Sequence, residues 1–229
     1  MSQFFDFIKT IFGTLMGAGL AFWSNWHFQK LQRNRANLSA GNMAIAILSR
    51  QFGDFVIFRA GFLNDIEDRN KFPSWLQIKP SLFQFSDNLR FDLPSLAFLS
   101  DGGNHDLLSK LMMAELKYHD LNNLITLSTE ACDLRDRALV TTGLIDLSPN
   151  DLHRAEIAVD ISLRAKCEAL NQAMGQRAHN DAQVYRSAGE ALQKMLSQCF
   201  DPKAVMPFTA LGARADIIED AMVFRVLDK

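Results

Sequence analysis

Residues 11–35 read IFGTLMGAGLAFWSNWHFQKLQRNR, and the setting of this one stretch decides the architecture. Between Lys9 and Lys30 lie twenty residues without a formal charge. A helix of that length rises roughly 30 Å, the thickness of a bilayer hydrocarbon core. Ile11, Phe12, Leu15, Leu20 and Phe22 each favour insertion by about 0.3–0.6 kcal/mol, and Met16 extends the apolar run. Trp23 and Trp26 follow at one edge, where indole rings settle among headgroups. Lys30, Arg33 and Arg35 come next, and no acidic residue stands between Asp6 and Asp54.

These features predict a transmembrane helix with the N-terminus outside and the body cytoplasmic, by the positive-inside rule. A cleaved signal peptide would want a basic start, whereas here Asp6 sits near a single Lys9. A helix that is apolar all round also suits a protein core, so a soluble bundle is the competing reading. Within the span, Gly13 and Gly17 form GxxxG and Ala21 continues the row. Small residues four apart let helix backbones approach in lipid, so self-association is expected there.

The wider composition agrees with one span and one body. The chain has 229 residues, of which 48% are hydrophobic, an ordinary globular share. Eighteen are Phe against two Tyr, so rings without a hydroxyl dominate the aromatic complement. Residues 1–53 carry a net charge of +4 within a total of −2, leaving −6 for the remainder. That polarity belongs to membrane topology and excludes a general nucleic-acid surface. Cys132, Cys167 and Cys199 are distant and odd in number, which excludes a disulfide framework or zinc knuckle and predicts apolar helix-face positions.

No proline precedes Pro73, so the anchor helix is expected to run on through Leu31–Leu63. Arg50, Asp54 and Arg59 interrupt the segment 41–63, each costing about 2.5–3.5 kcal/mol at a bilayer centre. Alone it should stay out of lipid, as an amphipathic helix packing Phe52, Phe55, Val56, Phe62 and Leu63 on the body. In an oligomer, the three charges are candidates for lining a wet pathway.

Pro73, Pro80, Pro94 and Gly102–Gly103 break up residues 72–104 into short apolar turns. A first long helix then carries the stripe Leu107, Leu111, Ala114, Tyr118, Leu121, Ile125, Ser128 and Cys132. Ser148, Pro149 and Asp151 restart the chain as N-cap, first turn and dipole partner. A second stripe runs Leu152, Val159, Leu163, Leu170, Met174, Ala178, Tyr185, Leu192, Met195 and Cys199, which predicts a helical hairpin with the first. Pro202 and Pro207 end it, and ALGARADIIEDAMVFRVLDK is expected to add a short helix and an extended tail. The fold class is therefore all-α: a membrane anchor with a basic collar over 1–35, and a cytoplasmic helical domain over 36–229 with a proline-rich connection at 72–104.

No catalytic motif emerges. Glu115 and His119, or His153 and Glu156, have helical spacing, but a di-metal bundle needs two ExxH motifs among several carboxylates. SDGGN lacks the GKS/T ending of a phosphate loop. Arg164, Lys166 and Arg177 read as exposed helix charges. No enzyme activity, cofactor or metal is expected.

The layout of short leader, small-residue-rich span, basic collar and long helical body resembles the small transmembrane effectors encoded beside bacterial anti-phage modules, retrons among them. It is similar also to many bacterial single-pass proteins that tether a helical scaffold or sensor. The first resemblance implies a membrane-acting toxin held silent by a cytoplasmic protein or ribonucleoprotein partner. On release it would act on the lipid bilayer of the inner membrane, with no direct nucleic-acid binding.

Overall fold

Helix α1 runs unbroken from Ser2 to Glu67 in the computed structural model, 66 residues and on the order of 100 Å. The structure describes residues 2–67, 72–77, 79–80, 85–101, 104–145 and 147–210, with α1 side chains from Phe12 to Leu63. Every described element is helical: α2 (Ser74–Gln77), α3 (Phe98–Asp101), α4 (His105–Thr141), α5 (Leu152–Ala158), α6 (Ile161–Asn180) and α7 (Ala182–Cys199), with three single 3-10 turns. Among the described residues there is no strand.

α1 has two halves of different character. Residues 12–36 are exposed around the whole helix, and burial begins at Asn37 and Leu38. From there Ala44, Ile45, Leu48, Phe55 and Phe58 enter the core and pack on α4, α6 and α7. Gly41 permits the close approach of α7. A Cβ at this position would stand 2.7 Å from both terminal methyls of Leu196. The segment 41–63 thus packs on the body as its apolar spacing predicts, with Phe55 and Val56 buried and Phe52 and Phe62 against the core.

The abundance of phenylalanine is put to use here. Phe52 stacks on Phe208 at 5.7 Å, Phe55 meets Tyr185 at 5.2 Å, and Phe85 meets Tyr118 at 5.0 Å between ring centroids. Such pairs add about 0.5–1.5 kcal/mol each beyond their buried area. The short pieces at Trp75, Leu96 and Leu99 lie across the bundle and bury those side chains.

α4 buries all eight residues of its predicted stripe, from Leu107 to Cys132. It ends in a Schellman motif. Gly143 takes φ +77°, Leu144 N–H donates to Leu139 O and Gly143 N–H to Val140 O, both at 3.0 Å. Leu139 and Leu144 are both buried, the apolar pair that frequently accompanies that motif. Ser148 and Asp151 form a capping box, and the hydroxyl and amide of Ser148 hold the Asp151 carboxyl below its usual pKa.

The second arm of the expected hairpin is three helices rather than one. Asp160 caps α6 by accepting from Ser162 N–H at 2.7 Å, so the chain restarts after α5 instead of running through. Asp181 marks a bend between α6 and α7. Cys132 and Cys167 are buried, as their face positions predict, but Cys199 is exposed at the end of α7. Arg164 and Arg177 are not simple solvated charges. The Arg164 guanidinium lies 5.9 Å over the Trp75 ring, and Arg177 bridges Asp120 and Asp181. Glu115 is half-buried and accepts from Phe91 N–H at 2.9 Å. The expectation for a terminal helix and tail concerns residues that, from Leu211 onward, lie outside the described ones.

Candidate functional site

The free half of α1 is where chemistry and geometry disagree most plainly with an aqueous setting. Phe12, Leu15, Met16, Leu20, Phe22, Trp23, Trp26 and Phe28 all stand between 54% and 75% exposed. At about 100° per residue, the bulky members from Phe12 to Trp26 share one side of the helix. Gly13, Gly17 and Ala21 lie opposite, and a Cβ added at either glycine would meet nothing within 4 Å. The side chain of Ile11 lies outside the described ones.

The lower edge of this arm is organised by aromatic and cationic groups. Trp23 stacks on His27 at 5.7 Å, and Lys30 Nζ lies 5.5 Å from the Trp26 ring centre. Lys30, Arg33 and Arg35 are exposed within the next turn and a half. Lys30 and Arg33 fall on the bulky side and Arg35 on the small-residue side, so the cations encircle the helix. Formal charge therefore changes along the axis rather than around it.

Among the described residues no helix is long and apolar enough to cross a membrane. The described side chains of the arm begin at Phe12 and already include Ser24, Asn25, His27 and Gln29 at its far end. Phe4, Phe5, Phe7, Ile8 and Ile11 precede it in the sequence, with Asp6 and Lys9 among them.

Arg50, Asp54 and Arg59 lie in the other half of α1, against the bundle. Arg50 Nε meets Asp54 Oδ1 at 3.1 Å, as their spacing predicts. Asp54 is buried, and its second oxygen accepts from the Tyr118 hydroxyl at 2.9 Å, whose oxygen accepts from Ser86 N–H at 3.1 Å. Burial raises the Asp54 pKa, while the Tyr118 hydrogen bond and Arg50 draw it back. Burial lowers that of Arg59. These three charges are separated from Lys30 by roughly 30–45 Å of helix.

Two polar networks escaped the sequence reading. Asp181 is buried and meets Lys117 at 3.1 Å and Arg177 at 3.3 Å, beside a groove of about 510 Å³ between α4 and α6. Its cations are already matched by Asp120 and Asp181, so the groove offers no uncompensated charge. Arg135 is buried too, donating to the Trp75 carbonyl at 3.0 Å. Both positions continue an apolar stripe, Arg135 three after Cys132 and Asp181 three after Ala178. The periodicity marked them as interior although the residue types did not. Among the described residues no group of three or more His, Cys, Asp or Glu could hold a metal. No family model, no curated protein and no solved structure matches the chain.

Proposed function

We propose that this protein is a membrane-anchored effector of a bacterial anti-phage system, whose arm enters the inner membrane and whose bundle takes a cytoplasmic partner. The observation that carries the reading is the arm itself. Eight large apolar side chains project from the bundle with nothing of the described body against them. Covering them would return on the order of 10 kcal/mol, comparable to the whole stability of a domain. A bilayer is the cover that suits an apolar run ending in tryptophans and a basic collar.

End-on entry follows from the arrangement of charge. A helix lying in the interface plane separates an apolar face from a basic one around its circumference. Here Lys30 and Arg33 share the side of Phe12, Trp23 and Trp26 but come after them along the axis. That order suits insertion along the helix axis, with the cations at phosphate level and the bundle on the cytoplasmic side. Phe4, Phe5, Phe7, Ile8 and Ile11 would supply the depth that the described stretch lacks.

In this scheme the bundle is the regulated part, and release from its partner lets the arms associate through Gly13, Gly17 and Ala21. A test is induced expression in cells bathed in a membrane-impermeant dye. Dye entry that depends on residues 8–28 is expected, whereas intact cells at high expression would sink the effector reading.

One observation favours a second reading, a non-toxic membrane tether. Arg50 and Asp54 are tied to Tyr118 within the folded bundle, so they are engaged away from any lipid defect. A tether predicts that replacing residues 8–28 by an unrelated span preserves function. An effector built on this arm predicts loss.

A further inference from the structure

We propose that a second copy of this chain packs in parallel along one face of α1, forming a two-fold seam that continues from the arm onto the bundle. The parallel direction rests on the membrane reading above; the seam itself does not. It is carried by the bundle end of α1, where the helix is packed on one side only.

Met43 stands 63% exposed there, a large apolar residue flanked by two shallow grooves. One, of about 480 Å³, is bounded by Ala36, Ser39 and Met43 together with Phe91, Asp92 and Leu96. The other, of about 510 Å³, is bounded by Arg35, Ser39, Met43 and Ala46 with Met206. The ridge is therefore self-complementary: Met43 of one copy can fill a groove beside Met43 of the other.

Charge is distributed to match. In a parallel two-fold pair, one flank of a helix faces the opposite flank of its partner at the same height. Arg35 lies on one flank of the ridge and Asp92 on the other, with Arg90 beside it. Ala36 and Ser39 also bound the Asp92 groove, which places it near the level of Arg35. Neither Arg35 nor Asp92 has an ion-pair partner among the described residues, and Asp92 accepts only from the Ser95 hydroxyl. Parallel pairing brings each Arg35 to the Asp92 of the other copy, twice per dimer. Antiparallel pairing does not.

The seam also has a continuation. Positions seven apart from the ridge toward the arm are Ala46, Ser39, Gln32, Asn25 and Ala18. A sustained seven-residue repeat keeps one face of a helix against a left-handed partner. The residues on this line are small or carry amides, and the four nearest the arm are exposed. Amides at interior positions of a parallel pair hydrogen-bond to each other and fix register. Gly17 and Ala21 border the line, so the close approach they permit in lipid and the ridge at Met43 belong to one contact.

The test is disulfide trapping of the full-length chain in native membranes, in a Cys199→Ser background that leaves only the buried Cys132 and Cys167. The Ser39→Cys variant is expected to give a covalent dimer under mild oxidation. The Ile157→Cys variant, exposed on α5 away from the ridge, is expected to stay monomeric. Arg35→Asp alone and Asp92→Arg alone should each lower Ser39→Cys trapping by about tenfold, because each reversal acts twice in the pair. The two together should restore it. Equal trapping at Ile157→Cys, a Ser39→Cys adduct with a different protein, or no rescue by the double reversal would each overturn the seam. Flotation with lipid vesicles separates the two readings. A chain that stays in the aqueous fraction yet traps at Ser39→Cys keeps the seam and loses the lipid arm; one that floats without trapping does the reverse.

Discussion

Replacing Leu15 with arginine asks which solvent surrounds the arm. Leu15 is 66% exposed and touches nothing of the described bundle. Its change should therefore leave the bundle's stability within about 0.5 kcal/mol of the parent. In a bilayer the same change moves a residue that favours insertion by about 0.5 kcal/mol to one that opposes it by about 2.5–3.5. The difference, about 3–4 kcal/mol, is a factor of several hundred in partitioning. Alkaline extraction of membranes, run beside a thermal melt followed by circular dichroism, reads both quantities. Leu15→Arg should shift the chain from the membrane pellet to the soluble fraction while the melt stays put. The opposite pattern, unchanged fractionation with a melt lowered by several degrees, would mean protein rather than lipid covers Leu15. Phe22→Arg, 75% exposed on the same side, should behave alike, which guards against a peculiarity of one position.

The bundle makes sharper predictions about stability. Tyr118→Phe removes the hydroxyl that donates to Asp54 and accepts from Ser86 N–H. Leaving a buried carboxylate one donor short should cost about 1–3 kcal/mol, read from urea midpoints. Asp54 itself should give a pH signature. Its folded-state pKa is raised above 3.8, so the folded chain holds that proton more tightly than the unfolded one. Wild type should therefore gain stability relative to Asp54→Asn as pH falls from neutral through the raised value toward 3.8, and the difference should level off below. A gap between the two that does not change with pH would refute the assignment. Gly41→Ala places a methyl 2.7 Å from the Leu196 side chain, and overpacking of this kind costs about 1–3 kcal/mol. Gly41→Ala with Leu196→Val should recover part of that loss, and a lack of recovery would show that the α1–α7 approach is not limiting.

The architecture was legible wherever periodicity and residue type agreed. The α4 stripe from Leu107 to Cys132, the restart at Ser148 and the Arg50–Asp54 pair all follow from spacing, because a helix fixes which residues share a face. The uninterrupted course of α1 follows from the absence of proline before Pro73. Legibility failed where a polar side chain made a tertiary bond that its neighbours in sequence do not announce. Arg135 and Asp181 occupy interior positions only because the Trp75 carbonyl, Lys117 and Arg177 arrive from other elements to satisfy them. Asp160 interrupts the stripe that runs from Leu152 to Cys199 because its carboxylate caps a new helix, a local competition that a stripe of apolar residues cannot register.

The arm belongs to neither group. Its residues are legible one by one, yet their meaning depends on what lies outside the chain, since a helix apolar on most sides is stable only when something covers it. What the fold adds is that the chain's own described body does not. α1 carries the bundle's core residues Ile45, Leu48 and Phe55 on the same unbroken helix as Phe12 to Trp26. An α-helix of this length is stiff, and any shift of α1 against α4 and α7 must appear as a rotation or displacement of the arm. Any partner that gripped the bundle would therefore act on the arm without touching it. A proline at Ala36, the last fully exposed position before Asn37 and Leu38 meet the bundle, would cut that link while sparing both ends.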